Sequence, residues 1–425
     1  MSLIWFGSFM LLMAIGMPIA VAIGLGGMVA LLFSHGTSAF VVPTMLISSM
    51  DSFVLTAVPM FMATGAIMQR GGLAERLFGF ADSMVGWTRG GMGHANIVAS
   101  MIFGGISGSA VSDAAALGPI GIEMMTRTGY RKVVAAALAV SASTLAAIIP
   151  PSVIMVVYAV AAGVSASKML ISGLVPGILI GFAMMIVNFF IVRYYGIQST
   201  GTFSLKNLRK QTMSAGWAIL APAIIILGIF TGIFTPTEAG LAAALYSFLV
   251  ARFIYRSITF REMGEILIEV GKSSGVALLI LATASIAAHM LAIEKVPQLA
   301  AEFAMRLSGD NLFLVWTALI VFFLIVGMFM EGLAAVIILT PVFMPFIAQL
   351  GIDPVHFGVI FVIALCIGFI TPPVGVCLFV ISRVANVGIE ALSLHSLVYI
   401  LAMVIMLFVL VFVPSLSLYL TEFVG

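Results

Sequence analysis

Charge is what this sequence has least of. Only 8% of its 425 residues are Asp, Glu, Lys or Arg, against 63% hydrophobic. A water-soluble domain with that balance would expose large apolar patches, so a soluble globule is excluded and a polytopic membrane protein remains. Cysteine is nearly missing as well. Cys366 and Cys377, the only two, fall in one apolar stretch, which excludes a disulfide framework and leaves too few soft ligands for a metal centre. They read as packing residues. The five histidines, His35, His94, His289, His356 and His395, stand apart from one another, so neither a metal set nor a catalytic dyad is visible. There is no domain-sized polar segment, no low-complexity linker and no basic stripe for nucleic acid. Residues 1–425 therefore read as a single membrane domain, and uncharged runs of 18 or more residues supply its spans. The first 33 residues are apolar but lack a basic leader and a clear cleavage site, and are expected to form the first transmembrane helix.

Against that background the prolines stand out. The run from Val133 to Gly163 carries no charge, yet "AAIIPPSVIM" (146–155) places Pro150 and Pro151 in its middle. Adjacent prolines break a helix and leave carbonyls unpaired, a state tolerated at membrane depth only where backbone is buried in protein or lines a cavity. The same device recurs as "GFITPPVGVC" (368–377), at an offset of 222 residues. At that offset Gly105 matches Gly327, Pro119 matches Pro341, Gly129 matches Gly351, and Pro150-Pro151 match Pro372-Pro373. With small gaps, "GMPIAVAIGL" (16–25) resembles "FTPTEAGLAA" (234–243), and "MATGAI" (62–67) resembles "LATASI" (281–286). Two repeats follow, about 1–192 and 212–417, each reading as helix, helix, amphipathic segment, Gly-rich hairpin and broken helix.

The hairpin is inferred from "GHANIVASMIFGGISGSAVSDAAALGPIGIEMM" (93–125), whose centre "GGISGSAVSD" favours a turn. Its counterpart is "FFLIVGMFMEGLAAVIILTPVFMP" (322–345). A single kinked helix whose small residues permit close packing is the alternative. Counting spans from the first hairpin to the second (133–163, 169–192, 212–231, 236–255, 265–292) gives an odd number. The repeats are then inverted, as in secondary transporters with a midplane site. All 18 lysines and arginines except Lys168, Lys295 and Arg306 fall on the side from which the first hairpin enters. The positive-inside rule makes that side cytoplasmic, with the N-terminus cytoplasmic and the C-terminus periplasmic.

Four stretches in order, "GISGSAVSDAAALG" (105–118), "AAIIPPSVIMVVYAVAAGVS" (146–165), "GIFTPTEAG" (232–240) and "GFITPPVGVCLFV" (368–380), resemble the large membrane subunit of tripartite ATP-independent periplasmic (TRAP) transporters. The resemblance covers essentially the whole chain. It implies an all-α polytopic protein with inverted repeats, two re-entrant helical hairpins and two proline-broken helices, working as an elevator in the bacterial inner membrane. The mobile unit would comprise about 93–165 and 311–385, the remainder being scaffold. The implied function is sodium-coupled import of an organic acid, such as sialic acid or a C4-dicarboxylate, delivered by a periplasmic binding protein. A small four-helix membrane subunit is implied as well, expected as a separate polypeptide because the chain opens directly on the large-subunit pattern. A stand-alone sodium- or proton-coupled anion permease or antiporter is the alternative. Arg383 and Cys377 depart from the family pattern and leave the cargo open.

Sodium, a hard cation, prefers several oxygens, many of them backbone carbonyls. No carboxylate cluster occupies the hairpin tips, so carbonyls and hydroxyls must dominate. In the first repeat Ser107, Ser109 and Ser112 would face Ile149, Pro150 and Ser152; in the second, Gly327 and Gly332 would face Gly368, Thr371 and Val374. The resemblance implies that these sets form two sodium sites, with no other cofactor; the alternative for each small residue is tight packing. Ionisable groups within spans are functional candidates by default, which adds Asp113, Glu331 and Arg383 to the cargo path. Asp113 reads equally as a cap of the second half-helix, and Arg383 as a snorkelling side chain. Glu238 in "TPTEAG" reads as a helix start. Ser107 in "GISGS" resembles a nucleophile elbow only superficially, since the strand–turn–helix context is missing, and no enzyme is expected.

Overall fold

The computed structural model describes residues 2–33, 41–197, 202–294 and 311–424. Among the described residues the secondary structure is entirely helical, and eight segments are long and apolar enough to cross a membrane. His35, Lys295 and Arg306 lie outside the described residues.

The N-terminal stretch departs from expectation. In place of one helix, the first 33 residues form two, α1 (Ser2–Ala14) and α2 (Ile19–Leu32), packed against each other. The reason is local: Gly16 adopts φ +88°, a left-handed conformation that glycine takes without penalty, and Pro18 then caps α2. Next come α3 (Val41–Met50), α4 (Ala57–Arg70) and α5 (Leu73–Val85). In α5 Leu73, Leu77, Phe78 and Ala81 are buried on one face while Glu75 stands on the other, the pattern of a helix lying along a surface.

Two helices, α6 (Gly91–Ser107) and α7 (Ala110–Arg127), pack against one another and meet at Gly108-Ser109. The broken helix follows as α8 (Lys132–Ser143), a 3-10 turn (Thr144–Ala147), an irregular segment containing a cis Pro150-Pro151 bond, and α9 (Val153–Ala162). A short α10 (Ala166–Ser172) leads into α11 (Leu174–Tyr195). The second half runs α12 (Leu205–Phe230), α13 (Pro236–Leu249) and α14 (Phe260–Ile293). Its hairpin pair is α15 (Leu312–Phe329) and α16 (Gly332–Gln349). Its broken helix is α17 (Pro354–Gly368) and α18 (Val376–Ala385), separated by a cis Pro372-Pro373 bond. Cys366 and Cys377 thus sit on different sides of the break, both buried. The chain closes with α19 (Ile389–Phe412) and α20 (Ser415–Leu418).

The packing of the two halves is crossed. Helix α4 packs on α13, and α14 on α2; likewise α7 packs on α18, and α16 on α9. Small residues let these backbones approach where no water-driven collapse is available in lipid. Cβ atoms built on Gly24 and Gly27 of α2 would lie 2.8 Å from Thr283 and 2.6 Å from Ile286 of α14. The broken helices occupy the centre: every residue from His356 to Gly368 is buried, and so is every residue from Val134 to Ser143. A helix apolar all round suits such an interior as it suits lipid. Phe323 of α15 stacks into this core, 4.3 Å from the Phe361 ring centroid.

Candidate functional site

Each hairpin tip is seated on the break of its own half. In the first, α6 stops because Gly108 turns left-handed at φ +61°, and Ser109 caps α7 by accepting from the Ser112 amide at 3.4 Å. Across the gap the Val153 amide donates to the Gly108 carbonyl at 3.3 Å. The fit excludes side chains: a Cβ on Gly104 would sit 2.6 Å from the Ala146 Cα, and one on Gly105 3.3 Å from the Pro150 oxygen. In the second half the Gly375 amide donates to the Met328 carbonyl at 3.2 Å, and a Cβ on Gly368 would lie 2.6 Å from the Gly327 Cα. Glu331 caps α16, accepting from the amides of Leu333 and Ala334 at 3.0 and 3.3 Å.

The breaks leave acceptors over. Among the described residues, no hydrogen bond reaches the carbonyls of Ile149, Pro150 and Pro151, nor those of Thr371, Pro372 and Pro373. The first three residues are buried, whereas Thr371 and Pro372 are half-buried and Pro373 is exposed. The Ser107 hydroxyl is buried and also lacks a partner among the described residues. Unpaired buried acceptors are costly unless something fills them, and oxygens of this kind suit a small hard cation. Thr371 donates its hydroxyl to the Ile367 carbonyl at 2.7 Å and keeps its lone pairs. Ser152 behaves differently. Its hydroxyl donates to the Ala147 carbonyl at 2.6 Å and accepts from the Met155 amide at 3.3 Å, which makes it the cap of α9. Gly332 approaches Ile154 and Phe369, at 2.7 Å from a built Cβ in each case.

The two tips border one cavity of about 430 Å³. Ser107, Ser109 and Ser112 line it from the first half; Glu331, Gly332, Phe369 and Val376 line it from the second. The remaining wall comes from α4 (Met62, Gly65, Ala66, Gln69) and α14 (Glu269, Val270, Ser273). Sequence reasoning assigned those two helices to scaffold and singled out none of these residues. Gly65 alone carries a structural signature, since a Cβ there would meet the Ser107 Cα at 2.9 Å.

Asp113 and Arg383 are outside this lining. Asp113 is buried beneath the tip, where Ser100 donates to its Oδ2 at 2.9 Å and Oδ1 has no partner among the described residues. It does not cap α7, because Ser109 occupies that position. Arg383 is exposed in the last turn of α18. Glu238 forms a capping box with Thr235, its carboxylate accepting from the Thr235 amide at 2.8 Å.

The profile of the family described as "Tripartite ATP-independent periplasmic transporter, DctM component" matches residues 6–416. The chain belongs to the DctM family. It is a large permease subunit of a TRAP transporter, not an enzyme. It is 38% identical to the C4-dicarboxylate TRAP transporter large permease protein DctM of Pseudomonas aeruginosa, over 95% of this chain and 94% of that one. To the 2,3-diketo-L-gulonate TRAP transporter large permease protein YiaN of Escherichia coli it is 36% identical, over 97% of each. The isethionate TRAP transporter permease protein DctMQ of Oleidesulfovibrio alaskensis is 37% identical over 97% of this chain, which spans 65% of that longer protein. Among solved structures, the Alcanivorax borkumensis YdaH transporter superposes with a TM-score of 0.68 at 15% identity, covering 97% of each chain. That likeness is one of fold, and it agrees with a multi-span helical architecture for this DctM-family chain.

Proposed function

We infer that this DctM-family chain imports an organic acid by coupling its passage to sodium. The observation that carries the reading is the pairing of two hairpin tips with two proline-broken segments, which leaves consecutive carbonyls in each break without hydrogen-bond partners among the described residues, beside a shared cavity. Relatives whose names specify C4-dicarboxylates, 2,3-diketo-L-gulonate, isethionate and sialic acid support the cargo class. In this reading the tips are re-entrant, the halves are inverted repeats, and α6–α9 together with α15–α18 move as an elevator against the rest. The crossed packing of α4 on α13 and α14 on α2 is what a twofold relation between halves produces.

Orientation follows from charge. Arg70, Arg76, Arg256 and Arg261 stand at or just beyond the C-terminal end of α4 and the N-terminal end of α14, the two helices that wall the cavity, so the positive-inside rule places those ends on the cytoplasmic side. A separate small membrane subunit and a periplasmic binding protein complete the proposed assembly. With no large domain outside the membrane among the described residues, capture of a dilute solute falls to such a partner.

Proteoliposomes test the reading. With the small subunit, a sodium gradient and loaded binding protein, uptake is expected; without binding protein or sodium it should fall to background. Uptake by the chain alone would instead identify a stand-alone permease, and sodium-independent uptake would remove sodium as the coupling ion.

A further inference from the structure

A cationic side chain beside the cargo would offset the charge of an organic anion, yet the lining of the cavity contains two carboxylates, Glu269 and Glu331, and no lysine or arginine. Glu331 is engaged as the α16 cap. Glu269 is held differently. It projects from α14 and pairs with Arg70 in the last turn of α4, Nη2 to Oε2 at 2.5 Å, while Glu265 stands 3.9 Å from Nη1.

Arg70 continues the face formed by Met62 and Ala66, both of which line the cavity, because residues four apart on a helix share a side. Its guanidinium is therefore one turn beyond Ala66 on that face, at the edge of the lining. The Arg70 and Glu269 side chains are 43% and 61% exposed. Exposed ion pairs are weak, so exchanging one carboxylate partner for another costs little. Guanidinium is also the group whose planar fork takes a carboxylate or sulfonate by two parallel hydrogen bonds. Glu269, once released, has Lys272 one turn further along the same helix.

We propose that Arg70 is a cargo-recognising residue that exchanges Glu269 for the acidic group of the transported anion. Glu269 is then an internal competitor: it neutralises Arg70 in the empty cavity and is displaced when cargo arrives. The assignment rests on the importer reading, and it adds to that reading a cation at the edge of the cavity that the lining itself lacks.

The test measures half-saturating concentrations of succinate, isethionate and sialic acid by thermal stabilisation of the purified chain in sodium, for wild type, Arg70→Gln, Arg70→Lys and Glu269→Gln. For whichever acid stabilises wild type, Arg70→Gln is expected to raise the half-saturating concentration tenfold or more. Arg70→Lys, which keeps the charge but loses the fork, should give a smaller rise, and it serves if the Gln variant folds poorly. Glu269→Gln removes the competitor and should lower the concentration several-fold. The opposite signs are decisive, because a merely structural ion pair loses the same contact in either variant. Shifts of the same sign, or none in any variant, overturn the proposal while the importer reading stands. If none of the three acids stabilises wild type, the same variants are compared for sodium-driven uptake with the small subunit and loaded binding protein, where an unchanged half-saturating concentration in Arg70→Gln overturns the assignment and absence of uptake by wild type overturns the importer reading.

Discussion

At the first hairpin tip, positions 107, 109 and 112 are serines; 222 residues later the same positions are Phe329, Glu331 and Ala334. At the breaks the exchange runs both ways: Ile149 corresponds to Thr371, which gains a hydroxyl, and Ser152 to Val374, which loses one. The backbones nevertheless agree: both breaks carry a cis Pro-Pro bond, and both tips are capped at the matched positions Ser109 and Glu331. Both breaks also leave consecutive carbonyls, those of Ile149, Pro150 and Pro151 and of Thr371, Pro372 and Pro373 among them, without hydrogen bonds among the described residues. What the halves share is backbone, and what they vary is side-chain chemistry. Cation binding, in the proposed reading, belongs to the shared part, and the side chains tune it separately at each site.

The sharpest way to break this equivalence is steric. Gly105 and Gly327 are matched, but a Cβ on Gly327 would meet the Leu365 oxygen at 2.6 Å, whereas one on Gly105 would meet Pro222 and the Pro150 oxygen at 3.2 and 3.3 Å. Gly327→Ala is expected to destabilise by about 3 kcal/mol and Gly105→Ala by about 1 kcal/mol, since overpacking against backbone cannot relax. Thermal unfolding in detergent measures both.

Next come the hydroxyls placed to ligate. Ser107→Ala and Thr371→Val each remove one oxygen while keeping the backbone. Each should weaken sodium binding by about 2 kcal/mol, roughly a thirtyfold rise in the sodium concentration for half-maximal uptake. A change at one half only would show that the two sites are not equivalent in transport.

Ser152→Ala sharpens the comparison from the other side. Its hydroxyl caps α9, so the variant should lose about 1 kcal/mol of stability with an unaltered sodium dependence. Its matched position is Val374, which makes no such cap. The smallest effect is expected for Glu331→Gln, which keeps a capping oxygen and loses about 0.5 kcal/mol of interaction between charge and helix dipole.

The sequence makes these residues legible to different degrees. Glycine and proline restrict the backbone whatever surrounds them, so the tips, the breaks and their repeat could be located before any contact was known. Ser152 shows where residue type leaves two roles open: an oxygen suited to a cation is equally suited to the free amides at a helix start, and its hydroxyl caps the start of α9. The N-terminal pair of helices was written in Gly16 and Pro18, yet the uninterrupted apolarity of the first 33 residues outweighed them. The cavity walls on α4 and α14 are different again. Arg70 and Glu269 are 199 residues apart, and nothing in helix periodicity brings two such distant faces together. Only tertiary packing, α14 against α4, creates that part of the site.

Sodium binding by the broken segments, through oxygens left over by the folding of the chain, is the claim on which the importer reading most depends. Equilibrium binding of radiolabelled sodium to the purified chain, compared among wild type, Ser107→Ala, Thr371→Val and Ser152→Ala, tests it without transport. Saturable binding is expected in wild type, weakened roughly thirtyfold at one site in each of the first two variants and unchanged in Ser152→Ala. Wild-type protein that is folded but shows no saturable sodium binding, or the same isotherm in all four proteins, would contradict it.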